Sequence, residues 1–165
     1  MNNIDIANGI IFKKMELSKD SFDARIICQK KIYLLQSLGT DLGYSYNWYV
    51  RGPYSPLLAN YLYTNIELLS NTNFDSYRIS EKVEENISRV NSLQKQKPND
   101  VSLASWYELL ASLLYIDNNR ISWKIENDKE SLFKTLIQYK PKYNQGQCTH
   151  AFDVLENEGF ICVEA

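Results

Sequence analysis

The stretch from Arg25 to Tyr63, RIICQKKIYLLQSLGTDLGYSYNWYVRGPYSPLLANYLY, constrains the fold more than any other part of the chain. Ile26, Ile27, Ile32, Tyr33, Leu34, Leu35 and Leu38 recur at three- and four-residue steps, the spacing of a helix face. Gly39 follows them, where a helix end commonly turns left-handed. Tyr44, Tyr46, Trp48 and Val50 then alternate with Ser45, Asn47, Tyr49 and Arg51, which predicts a strand that Gly52-Pro53 ends. Ser55-Pro56 offers an N-cap and a proline at the first helical position, opening a helix through Leu57, Leu58, Tyr61 and Leu62. Helix, short strand, glycine-proline turn, helix is the expected frame.

Outside this frame the pattern is helical almost throughout. Ile4 to Met15 reads as an amphipathic first helix despite Gly9, and Asp20 or Ser21 caps the second from about Phe22 to Leu38. Ser70 to Ser80 reads as a loop. Glu81 to Gln96 has a narrow stripe of Val83, Ile87, Val90 and Leu93, as expected of a helix lying on the surface. Ser102 caps a strongly apolar helix through Leu103, Trp106, Leu109, Leu110, Leu113 and Leu114, expected at the centre of the core. Asn127 or Asp128 starts a further helix that Pro141 stops, and Gln147 or Thr149 starts the last, closed by Gly159. Phe160 to Val163 has strand character, with Tyr46 to Val50 as the expected partner. The fold class is therefore mainly α, a multi-helix domain with a small β element, winged-helix-like. One domain spans 1–165, with a helical core over 4–69 and 102–164 and a polar, charged insertion over about 70–100.

Composition narrows the function classes. An apolar fraction of 44% is too high for disorder, and no apolar run approaches the ~20 residues of a membrane span. The first 15 residues lack the pattern of a secretory signal, and Cys28, Cys148 and Cys162 have no metal-ligand spacing, so reduced thiols in the cytoplasm are expected. A net charge of −2 disfavours nucleic acid as a partner, because phosphate neutralisation supplies most non-specific affinity. His150 is the only histidine, and Cys148 two residues away does not share a helical face with it. With no phosphate loop, nucleophile elbow or zinc motif, no catalytic residue, metal or cofactor is expected.

Cys28-Gln29-Lys30-Lys31-Ile32-Tyr33 resembles the Leu-Gln-Lys-Leu-x-Tyr helix of Panacea-type antitoxin domains and of the related YwgA-like bacterial proteins. In both, an aromatic segment and then Gly-Pro follow, as in Trp48-Tyr49-Val50-Arg51-Gly52-Pro53-Tyr54-Ser55. The resemblance covers roughly Arg25 to Leu69, and more loosely the last helix up to Gly159-Phe160-Ile161. The chain departs from the pattern at Cys28, where an aliphatic residue is usual, and in the segment from Ser70 to Asp100. The resemblance implies a small prokaryotic helical or winged-helix-like module, linked to toxin neutralisation or mobile elements, without a known catalytic centre.

The candidate partner-binding residues are Tyr49, Arg51, Tyr54, Ser55, Lys30 and Lys31, beside a structural turn at Gly52 and Pro53. Arg51, Tyr54 and Ser55 stand beside a helix N-terminus, where an anion or a partner's carboxylate would sit, or else they form only a rigid corner. Gln29, Lys30 and Gln36 are expected to be at least partly exposed, so that Lys30 and Lys31 join Arg51 in a small cationic patch. Tyr46, Trp48 and Val50 are expected in the core, with Tyr49 facing outward. The leading expectation is a non-enzymatic module that docks on another protein, a toxin or a larger assembly. The alternative is a winged-helix-type DNA-binding regulator. Its helices Ser131–Tyr139 and Gln147–Asn157 would flank the basic segment Lys140-Pro141-Lys142, although Asp153, Glu156 and Glu158 would repel phosphate.

Overall fold

Short polar side chains decide where the helices begin. The computed structural model describes residues 1–161, and in it Asn2, Ser21 and Ser55 accept backbone N–H groups at the starts of α1 (Asn3–Lys14), α2 (Phe22–Ser37) and α3 (Pro56–Ser70). Ser80 and Ser102 do the same for α4 (Glu81–Ser92) and α5 (Leu103–Asn118). A short α6 (Arg120–Trp123) follows, then α7 (Lys129–Tyr139) on Asp128 and α8 (Gln145–Asn157) on Asn144. Each cap satisfies a donor that the helix itself leaves unpaired. The last helix starts two residues before Gln147, because Asn144 and Gln147 form a reciprocal capping box. Gly39 has the expected positive φ, +101°, just beyond α2.

The core is built on α5, which packs against α2, α7 and α8. Trp106, Leu109, Leu110, Leu113 and Leu114 are buried on it, as the apolar run implies. The segment from 70 to 100 is no appendage. Ile87, Val90 and Leu93 are buried, and α4 packs on α2. The Trp106 indole donates to Leu93 O at 2.8 Å, and the Tyr107 hydroxyl donates to Val90 O at 2.8 Å. Gly9 also finds its reason here: a Cβ at that position would collide with the Phe74 ring.

The β element differs from expectation. Gly52-Pro53 does not end a strand but opens a second one. β1 (Asn47–Tyr49) pairs antiparallel with β2 (Gly52–Tyr54), placing Trp48 opposite Pro53, with Val50 and Arg51 as the two-residue turn. Val50 is therefore 92% exposed instead of buried, because the alternation of faces stops at the turn. The segment before β1 is irregular, held by Gln36, whose amide donates to Tyr44 O and accepts from Leu42 N and Tyr44 N. Of the expected terminal strand, Phe160 and Ile161 form a bend and Cys162 and Val163 lie outside the described residues. The partner of β1 is β2.

Two constraints meet at Gly52. Its φ is +90°, and a Cβ there would collide with Ser112 Oγ on α5. That hydroxyl is itself buried without a hydrogen-bond partner among the described residues. Gly52→Ala should lower the unfolding free energy by about 2–4 kcal/mol. Ser112→Ala alone should raise it by up to about 1 kcal/mol, since an unsatisfied buried hydroxyl is removed. In the double variant part of the Gly52 loss should return, read as non-additivity in urea titrations of the four proteins. Strict additivity would show that Ser112 is not what excludes a side chain at position 52.

Candidate functional site

Three-residue strands are too short to hold a hairpin by themselves. This one is fastened by polar side chains from beneath. On α2, the Gln29 amide donates to Ser55 O at 3.0 Å and accepts from Ser55 N at 2.9 Å. Lys30 Nζ donates to Pro53 O at 3.0 Å. Lys140, at the end of α7, donates to Val50 O at 2.8 Å and to Glu108 Oε1 at 3.1 Å. Glu108 Oε2 accepts from the Tyr143 hydroxyl at 2.8 Å and faces Lys142 Nζ at 2.6 Å. Above these clamps Trp48 packs against Tyr115, Trp123 and Tyr139, with Lys140 Nζ 5.3 Å from its ring. The Tyr46 hydroxyl donates to Gln29 O.

These contacts correct the expected cationic patch. Lys30 is 1% exposed, and Gln29 and Lys31 are buried with it. Lys31 serves another joint, where its ammonium donates to Met15 O at the end of α1 and lies 3.3 Å from Asn91 Oδ1. Ser55 is fully buried as the cap of α3, so it is not a contact residue. The physical reason lies in α2. Its apolar residues cover more than one face, so the polar ones between them are enclosed and must find carbonyl partners. The basic linker Lys140-Pro141-Lys142, a DNA-facing segment under the alternative reading, is likewise turned onto Glu108. His150 bonds Gln96 O and stacks on Trp106, and burial pushes the Cys148 thiol up to about 11.

Two of the expected contact residues do face out. Tyr49 is 43% exposed, and Arg51 is exposed at the turn. Tyr54 is half-buried, its ring 5.2 Å from that of Tyr49. Arg51 and Tyr54 also line a cavity of about 260 Å³ between α2 and α3, which no local sequence pattern marks. Ile26, Ala59 and Leu62 line it, together with the exposed rings of Phe22 and Tyr63. Lys19, Arg25, Lys30 and Arg51 bring four basic side chains to the same space. Among the described residues, the only carboxylate within 4 Å of any of them is Glu67, 3.4 Å from Lys19 Nζ. The larger hollows near Trp123 and near Phe74 carry charges of both signs.

No family model, curated protein or solved structure matches the chain. Among the described residues no helix is long and apolar enough to cross a membrane.

Burial lowers the Lys30 pKa from 10.5 to about 7; Glu108 opposes this, whereas Lys140 and Arg51 reinforce it. Burial likewise pulls Lys31 and Lys140 down. Between pH 7 and 10.5 the unfolded chain keeps the Lys30 proton and the folded chain sheds it, so stability rises with pH. The opposite effect of Cys28, raised by burial from 9.0 to about 11, begins near pH 9. Unfolding free energy should therefore climb between pH 7 and 9, by on the order of 1–2 kcal/mol from Lys30. Urea titrations of Lys30→Met should show most of that slope gone. A slope that persists would assign it to Lys31 and Lys140 instead.

Proposed function

We propose that the protein is a non-enzymatic, cytoplasmic interaction module, antitoxin-like or an accessory subunit, that docks on another protein through its hairpin face. One observation carries this reading. The hairpin is clamped from below by Gln29, Lys30 and Lys140, yet Tyr49, Val50 and Arg51 stand exposed at its tip. A surface already held in shape loses little conformational freedom on binding. Tyrosine and arginine are also the residue types that most often dominate an interface. The resemblance of Gln29-Lys30 and Gly52-Pro53-Tyr54-Ser55 to Panacea-type domains supports a toxin, or a larger assembly containing one, as the partner.

The groups that suggest chemistry have structural occupations, which favours docking over catalysis. Lys30 Nζ is bonded to Pro53 O, and the Cys148 thiol, with its raised pKa, is poorly suited to act as a nucleophile.

The test is a paired capture from native lysate. Tyr49→Ala with Arg51→Ala should melt within a few degrees of the wild type, because neither side chain takes part in the clamps. The wild type should recover a stoichiometric protein that the double variant loses, and titration of that protein should weaken by about tenfold or more. Recovery of no stoichiometric protein, or equal recovery by both, would overturn the reading.

A further inference from the structure

The cavity between α2 and α3 combines two properties that point to one kind of ligand. Its walls are apolar, with Leu62 buried and Phe22 and Tyr63 exposed at the mouth. Its volume, about 260 Å³, falls below the ~300–1,000 Å³ of small-molecule sites and suits a single large side chain.

Its mouth is cationic in a chain whose net charge is −2. The guanidinium carbons of Arg25 and Arg51 lie 5.9 and 5.4 Å from the same Phe22 ring. Neither has a carboxylate partner among the described residues, and Arg51 makes no hydrogen bond there. Two like charges drawn to one exposed ring repel each other until an anion joins them. A segment carrying several carboxylates can answer both guanidinium groups while its apolar side chain fills the space between the helices.

We propose that this cavity is the anchor site for a short acidic segment of the partner protein. One aromatic side chain enters between Ile26 and Leu62, and carboxylates on either side of it pair with Arg25 and Arg51. The proposal rests on the docking reading and names the chemistry the partner must present.

The probe is a fluorescein-labelled, end-capped peptide, Gly-Asp-Glu-Asp-Phe-Asp-Glu-Asp-Gly, followed by anisotropy against the full chain. Saturable binding is expected, weakening as salt rises from about 50 to about 300 mM. Replacing the peptide phenylalanine by alanine should reduce affinity by about tenfold, as should Arg25→Glu with Arg51→Glu. Ala59→Phe fills the cavity without removing a cation and should abolish binding, with circular dichroism and melts confirming the fold. No binding by the wild type would overturn the proposal. So would an alanine peptide that binds equally, which marks a mere charge patch, or an Ala59→Phe variant that is folded and unaffected. Dodecanoate that displaces the peptide and binds more tightly would replace the proposal with a site for apolar acids. Peptide binding without a captured protein would sink the docking reading and leave the anchor site standing. A captured protein that Ala59→Phe does not weaken would do the reverse.

Discussion

The buried carboxylate of Glu108 is the interaction on which the rest of the architecture depends. It sits on α5, at the centre of the core, 1% exposed, where an unpaired charge would be severely penalised. Burial pushes its pKa up, but Lys142, Lys140 and Tyr143 together outweigh that and hold it below the ordinary carboxylate value. Removing one partner from such a group typically costs about 3–5 kcal/mol, whereas an apolar replacement of the whole set is often neutral. The network is thus better understood as fixing geometry than as supplying net stability. Its geometric product is the position of Lys140, which reaches from the end of α7 to the turn carbonyl of Val50.

The hairpin follows from that position. Its strands are three residues each, and one of them contains a proline that cannot donate to a ladder. Gln29 replaces missing ladder bonds with a two-bond amide clamp on Ser55, and Lys30 takes the carbonyl of Pro53. Both side chains come from consecutive positions of α2, so the helix works as a third strand would. Gly52 completes the arrangement by letting the backbone lie directly on Ser112. Gln29 and Lys30 in the helix and Gly52 to Ser55 after it are the two halves of this clamp.

How much of this was legible depends on the range of the interaction. Helix starts were readable because a cap involves residues three apart, as at Ser21, Ser55 and Ser102. The central place of α5 was readable from its run of leucines. The inner position of Lys30 and Lys31 was not, because a lysine is ordinarily at the surface and its buried partners come from 16 and 23 positions along the chain. One local sign existed: apolar residues at 26, 27, 28, 32, 34 and 35 do not form one stripe, and a helix apolar on several faces encloses its polar residues. β2 was missed because Gly-Pro is a breaker by local rules, while the forces that hold it extended come from α2 and α7.

The placement of charge connects the architecture to the proposed surface. Basic residues of α2, the hairpin turn and the end of α7 divide into two sets with different physics. Lys30, Lys31 and Lys140 are turned inward onto carbonyls, and burial pulls their pKa values down. Arg25 and Arg51 stay outside, exposed at the mouth of the cavity. Lys30 borders both sets, since its ammonium is bonded to Pro53 O and also lines the cavity beneath Arg51. A carboxylate brought to the mouth of that cavity would therefore favour the charged form of Lys30 as well as pairing with the two arginines. Binding of an acidic segment and protonation of the clamp that positions the hairpin are on this account thermodynamically linked, each favouring the other.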